Sequence, residues 1–395
     1  MNNKVVLAYS GGLDTSFCVK YLTNEKGMEV HSVLVNTGGF TAAELKAVEE
    51  KAYDLGVASH LTIDEVQNYY DKAIKYLIFG NVLKNNTYPL SVSAERTFQA
   101  IATAEYAKKI GAAALAHGST GAGNDQVRFD MVFQSIAPEM KIITPIRDNQ
   151  LSRQAEIDYL QSHGVDMSWE KAKYSINKGL WGTSVGGEET LSSDQPLPEE
   201  AYPTQLQQMN NEKVKLTFEK GELVGINDEV YPPAKAIEKL NEIAAPFAIG
   251  RDIHVGDTII GIKGRVGFEA AASLIIIKAH HTLEKHVLTK WQQYWKEQLA
   301  NWYGMMLHEA QFLDPVMRNI EGFLEDSQEK VSGSVTVTLA PYRFAVDGIQ
   351  SPHDLMNSGF GDYGEINKGW SGEDVKGFTK ILGNQVKIYN SVNND

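Results

Sequence analysis

A strand-like run, Val5 to Tyr9, leads at once into Ser10, Gly11, Gly12, Leu13, Asp14, Thr15 and Ser16, and then into helical text in which Leu13, Phe17, Tyr21 and Leu22 share a face. The loop therefore stands at a helix N-terminus. Such an end offers unpaired N–H groups and partial positive charge, and the two glycines let an anion reach the backbone with no Cβ in the way. Ser10, Thr15 and Ser16 add hydroxyl donors, and Asp14 supplies the oxygen ligand that a magnesium ion bridging phosphates would need. A plain strand-to-helix turn capped by Ser or Asp is the bland alternative. It leaves the coincidence of so many phosphate ligands unexplained.

The lysine-bearing phosphate loop GxxxxGK[ST] is a different pattern. SGGLDTS resembles the pyrophosphate loop of ATP pyrophosphatases, which split ATP to AMP and pyrophosphate, and by itself it names no second substrate. A second strand, Ala112 to His117, opens into Gly118, Ser119, Thr120, Gly121, Ala122, Gly123, Asn124, Asp125, Gln126, Val127, Arg128, Phe129 and Asp130. Its glycines let backbone touch a ligand, and Asn124 and Arg128, four apart, can point the same way from one helical turn. Arginine grips a carboxylate in two places, asparagine both donates and accepts, and Asp125 can meet the amine of an amino acid.

AYSGGLDTS, GSTGAGNDQVRF and YSINKGLWGTS in this order, with DYGEINKGW in weaker form, resemble the argininosuccinate synthase family over essentially the whole chain. The resemblance implies a ligase that activates citrulline with ATP and couples it to aspartate. By matching position, Ala8, Tyr9, Ser10, Gly11, Gly12, Leu13, Asp14, Thr15 and Ser16 would bind ATP, with Val35 near the adenine and Gly118 behind the nucleotide. Thr120, Asn124 and Asp125 would hold aspartate. Tyr88, Ser93, Asn124, Arg128, Ser175 and Ser184 would meet citrulline, with Arg96 as a second carboxylate partner. Asp14, Ser10 and Asp125 would carry the catalytic weight, Asp14 would hold Mg2+, and a homotetramer is implied.

The chain also departs from the family pattern. Ala122 stands where the family string GxTGKGND has Lys, which removes a cation beside the phosphates unless another Lys or Arg replaces it. In IHVGDTIIGIKGRVGFE, Gly256 and Phe268 stand where the family has a glutamate and a tyrosine that help hold the α-amine of citrulline. Two readings stay open: an N-acylated citrulline, succinyl or acetyl, with Gly256 leaving room for the cap, or plain citrulline with Asp257 or Asp252 taking the amine.

Up to about residue 165, β-rich runs (Val5–Tyr9, Val30–Asn36, Ala112–His117, Lys141–Thr144) alternate with amphipathic stretches such as Thr41 to Leu55, which Gly56 stops. That alternation reads as a doubly wound parallel sheet, an α/β fold, and the resemblance makes it an ATP pyrophosphatase-type nucleotide-binding domain over 1–168. Gly182 to Gln205 reads as a long ordered loop. Beyond it, a hairpin of Val214–Phe218 and Leu223–Ile226, a second pair across Ala340-Pro341, and helical text between about Thr282 and Leu324 make a larger α+β synthetase domain over 169–364. In 365–395, Val375, Phe378, Ile381, Leu382, Ile388 and Tyr389 form an apolar stripe on a helical arm, for which either a neighbouring subunit or the chain itself is the partner.

With 37 Lys plus Arg against 50 Asp plus Glu, a net charge of -13, the surface repels a phosphate backbone, which argues against a nucleic-acid partner. The single cysteine, Cys18, excludes an internal disulfide and a two-cysteine sulfur relay, and reads as core filler. No signal-type or membrane-length apolar run stands out, so a cytoplasmic protein is expected. His117 reads as a supporting histidine, His280 and His281 have no metal-spaced partners, and Trp291, Trp295 and Trp302 read as core or interface. The competing functions are another ATP pyrophosphatase-type ligase, an amidotransferase or a tRNA-modifying enzyme, and a non-catalytic nucleotide-binding protein. Pyrophosphate release that needs both amino acids separates them.

Overall fold

The computed structural model describes residues 2–165, 174–357, 359, 364 and 369–393. Near its start, Val5, Val6 and Leu7 are all fully buried, the continuous apolar run of a strand covered on both faces. This strand, β1 (Lys4–Ala8), is followed by α1 (Leu13–Asn24), β2 (Glu29–Asn36), α2 (Ala42–Leu55), β3 (Ser59–Asp64), α3 (Ser91–Lys109), β4 (Ala114–His117), α4 (Asp125–Ile136), β5 (Lys141–Ile143) and α5 (Arg153–Ser162). The strands pair in parallel in the order β3-β2-β1-β4-β5. Val5 and Leu7 point to a core with Phe17 and Leu55, and Val6 to another with Val33, Phe129 and Phe133, so helices cover both faces. Thr41 and Glu44 form a capping box at the start of α2, and Gly56 ends that helix in the left-handed conformation.

The second part contains β6 (Ser175–Gly179), β7 (Gly182–Gly186), β8 (Glu212–Glu219), β9 (Glu222–Ile226), β10 (Glu229–Val230), α6 (Pro233–Ala244), β11 (Arg251–Asp257) and β12 (Lys263–Glu269). Then come α7 (Ala271–Val287), α8 (Lys290–His308), α9 (Pro315–Ser327), β13 (Gly333–Ala340), β14 (Arg343–Gln350), α10 (Gly372–Leu382) and α11 (Asn384–Asn393). Two antiparallel sheets result, β10-β9-β8-β13-β14 and β11-β12-β7-β6. The expected hairpins are β8–β9 and β13–β14. The largest core joins these elements to a helical run, residues 66–79, that belongs to the first part: Tyr69, Tyr70 and Phe79 lie in one cluster with Leu216, Ile237, Ile276, Leu307 and Val337.

Three expectations need correction. The Gly-rich text from Gly182 is no loop at its start, because β7 is clamped between β12 and β6 and pairing overrides the glycines; only the stretch beyond it is loop and short 3₁₀ turns. Of the two readings for Trp291, Trp295 and Trp302, core or interface, the core one falls, since α8 buries its other face and leaves these rings outside on this chain. The C-terminal stripe is broken into α10 and α11 at Gly383, and its apolar side chains are exposed on this chain rather than folded back onto it. The expected boundary between residues 168 and 169, and most of DYGEINKGW, lie outside the described residues.

Candidate active site

Strand order reverses on either side of β1: β2 lies on one flank and β4 on the other, with Ala8 in register with both Val33 and His117. The crevice beyond the carboxyl ends of such strands is where ligands of doubly wound sheets bind. A cavity of about 670 Å³ opens there, walled by Ala8, Tyr9, Ser10, Gly12, Leu13, Asp14, Thr15, Val35 and Gly118, among others. The N-cap of α1 is Gly12, which makes no side-chain cap, so the first-turn N–H groups remain available to an anion. Gly118 is packed so tightly that a Cβ there would lie 3.3 Å from Asp14 and Thr15, and the second glycine-lined turn therefore touches the first. A phosphate chain fits this cradle. Gly11 and Ser16 lie behind it: the Gly11 carbonyl accepts from Lys51 Nζ at 2.7 Å, and the Ser16 hydroxyl donates to the Gly12 carbonyl at 2.7 Å.

The roof of this cavity comes from the other sheet. Gly38 and Gly39, both at positive φ, let β6 lie directly on the end of β2; a Cβ on either would come within 3 Å of Leu180 or Lys178. Ile176, Asn177 and Lys178 thereby face the nucleotide space, and Lys178 and Arg96 are cations among its walls although position 122 carries alanine. Within hydrogen-bonding reach of Asp14 stands buried Glu156, a residue with no sequence signal. Burial raises the Asp14 carboxyl, and burial plus the charge of Asp14 pushes Glu156 up to about 8, so the pair shares a proton near neutrality. Hard oxygen donors here suit a magnesium ion on the phosphates.

His117 also lines this cavity, with both ring nitrogens engaged by the protein. Its Nδ1 accepts from the Ser119 N–H at 3.2 Å and its Nε2 faces Asp130 at 2.9 Å, which fixes the tautomer and the turn that follows β4.

A second cavity of about 560 Å³ adjoins the first, and the two share Asp14, Arg96, Ser119, Asp125 and Asn177 as walls. Tyr88, Ser93, Thr120, Asn124, Arg128, Ser175 and Ser184 all line it, so every amino-acid contact expected from the sequence lies in one chamber. Its charged groups form a chain. Arg96 donates to Asp125 at 3.1 Å, to Glu95 at 3.3 Å and to Asn177 at 3.1 Å, while Arg128 donates to Asp125 at 2.8 Å and to the His308 carbonyl at 3.0 Å. Burial would raise Asp125, but Arg96 and Arg128 outweigh it and hold the carboxyl below its usual range. Glu95 goes the other way: fully enclosed, it is pushed up to about 8 by burial despite Arg96 and the Thr37 hydroxyl. The Asn124 carbonyl accepts from the Ile259 N–H at 2.8 Å, leaving chiefly its N–H groups for a ligand.

The far wall corrects one expectation. Gly256 does not leave empty room, because a Cβ there would sit 2.7 Å from His254 Nε2 and 3.2 Å from Asn85 Nδ2. His254 stacks on Tyr88 with centroids 5.2 Å apart, and Phe268 packs on the same ring at 5.4 Å. Asp257 is paired with Lys263 at 2.7 Å, and Asp252, opposite Phe268 in the ladder, is not among the cavity walls. Glu95, Glu156 and His308 escape sequence reasoning because no motif covers their positions; Lys178 lies within YSINKGLWGTS and His254 within IHVGDTIIGIKGRVGFE, where strand alternation puts His254 on the same face as Gly256.

A parallel sheet with a phosphate cradle at its switch point, joined to a charged chamber roofed by a second domain, defines a nucleotide-dependent enzyme of the HUP type with a separate small-molecule site. Residues 4–166 match the family model of the arginosuccinate synthase N-terminal HUP domain, and residues 174–389 that of the arginosuccinate synthase C-terminal domain. Argininosuccinate synthases of Methanocaldococcus jannaschii, Xanthomonas campestris and Dictyoglomus thermophilum are 38%, 36% and 34% identical to the chain, each alignment covering 98% of it and 98%, 98% and 97% of the relative. The chain belongs to the argininosuccinate synthase family.

Proposed function

We propose that this protein joins a citrulline-type acceptor to L-aspartate in arginine biosynthesis, consuming ATP and releasing AMP and pyrophosphate. The observation that carries this reading is the shared wall: Asp14 borders both cavities, at one end of one sheet. The ureido oxygen attacks the α-phosphorus and expels pyrophosphate toward the α1 N-terminus. The aspartate amine then attacks the activated carbon, AMP leaves, and a proton is released. The protein aligns the reactants and stabilises charge, with no covalent nucleophile of its own.

Ala8, Tyr9, Ser10, Gly12, Leu13, Asp14, Thr15, Val35 and Gly118 hold the nucleotide in this reading, with Ser10 and Asp14 at the phosphates and Gly11 shaping the turn behind them. Thr120, Asn124 and Asp125 take aspartate, and Tyr88, Ser93, Arg96, Arg128, Ser175 and Ser184 take the acceptor. Bound at Asp14, magnesium would neutralise developing charge on the pyrophosphate. The exposed apolar faces of α10 and α11 support association through the C-terminal arm, and the reading is of a homotetramer working in the cytoplasm. The test is pyrophosphate release from ATP with aspartate and a citrulline-type acceptor. Release that requires both amino acids is expected; ATP binding without release under those conditions overturns the reading.

A further inference from the structure

We infer that the acceptor enters the second cavity with its α-nitrogen acylated, so that a neutral amide rather than an ammonium group lies against Gly256, His254 and Tyr88. This rests on the ligation reading above and names the substrate class for it.

An ammonium group drawn out of water needs a charged partner, and leaving it without one is costly. The cavity has three carboxylates among its described walls. Asp14 belongs to the phosphate loop, Asp125 is held between Arg96 and Arg128, and Asp257 is bound by Lys263. None of them is left over at the Gly256 wall. What stands there is nitrogen: His254 Nε2 and the Asn85 amide occupy the direction in which any side chain at 256 would grow.

His254 is 6% exposed, and its Nδ1 has no hydrogen-bond partner among the described residues. Burial and then Lys84 lower its proton affinity, so the ring is neutral and carries one N–H. Across the same cavity, His308 is equally buried with Nε2 unpartnered. The neutral imidazole has one N–H to donate to a carbonyl or carboxylate oxygen, and the charge of Lys84 beyond it disfavours a cation at this wall. The apolar surface here is the Tyr88 ring with Val92 and Val266, and Phe268, fully buried behind Tyr88, holds that ring in place for the carbon chain of an acyl group. An acetyl cap offers the carbonyl alone; a succinyl cap adds a terminal carboxylate that the Lys84 field favours.

Steady-state pyrophosphate release should be measured with ATP, aspartate and, in turn, citrulline, N-acetylcitrulline and N-succinylcitrulline. An acylated acceptor is expected to show a kcat/KM about tenfold or more above plain citrulline, the range a mismatched buried polar group produces. Plain citrulline equal to or better than both caps overturns the inference and leaves the ligation reading intact. Release with none of the three removes the ligation reading and this inference with it. In the double variant His254→Ala, Gly256→Glu, a carboxylate replaces the imidazole, and the ratio of acylated to plain kcat/KM should fall about tenfold. The ratio is internal to one preparation, so partial unfolding does not move it; an unchanged ratio overturns the inference.

Discussion

The two cavities share a wall yet are built on opposite plans. The nucleotide cradle is mostly backbone: N–H groups of one helix end, two close-packed glycine turns and small hydroxyls, drawn largely from residues 8–15 and 117–119. The amino-acid chamber is built of polar and charged side chains from widely separated stretches, and its Arg96, Asp125 and Arg128 are locked to each other and to Glu95 beside them. A phosphate chain is recognised by a local shape that folds wherever the strand-to-helix turn folds. Two amino acids need opposite charges held in fixed pairs, and only the tertiary fold can hold them.

The largest break in this contrast is expected from Asp14→Ala, which removes the carboxylate of the phosphate loop from the shared wall. Pyrophosphate release should fall about 10³-fold with the circular dichroism spectrum unchanged, as removal of a preorganised charge does. Retention of rate within about tenfold would show that the cradle works by backbone alone. Arg128→Lys should act on the other chamber only: its lost two-point geometry should raise the amino-acid KM about 10²-fold and leave the ATP KM alone. A matching change in ATP KM would mean that the two cavities are one energetic unit. Gly118→Ala, whose Cβ would press on Asp14 and Thr15 at 3.3 Å, should raise the ATP KM about fivefold and spare amino-acid KM values.

The smallest effect concerns Glu95. In the folded protein it keeps its proton up to about 8, whereas an unfolded glutamate releases it near about 4.3. The native state therefore binds the extra proton within that window, and stability falls as pH rises through it. Glu95→Gln removes this slope, so melting temperatures recorded between about pH 5 and pH 8 should decline less steeply than in the parent. Parallel curves would show that another group carries the dependence.

Much of the first plan was legible in the sequence because it is local. The βα units, the capping box at Thr41, the αL stop at Gly56 and the cradle from Ala8 to Thr15 each follow from a few consecutive residues. The second plan was legible only where a motif reached it. Gly182 to Gly186 reads as loop from its glycines and becomes a strand because β12 and β6 pair with it on both sides. Glu156 carries no pattern at all, and His254 is marked only by its alternation with Gly256; α5 and β11 bring them to the site from 142 and 240 positions beyond Asp14. The tryptophans of α8 show the reverse failure, since helical spacing says that they share a face and nothing about which way the face turns.

The helical run of residues 66–79 sits in a core whose other walls extend to Leu339. During synthesis, then, Tyr69, Tyr70 and Phe79 emerge long before the chain that covers them, and a fragment cut after the first sheet would carry them into solvent as an adhesive patch. The first sheet's half is on this account a poor candidate for expression by itself, and the newborn protein has a stretch of growth during which this apolar surface is open to aggregation.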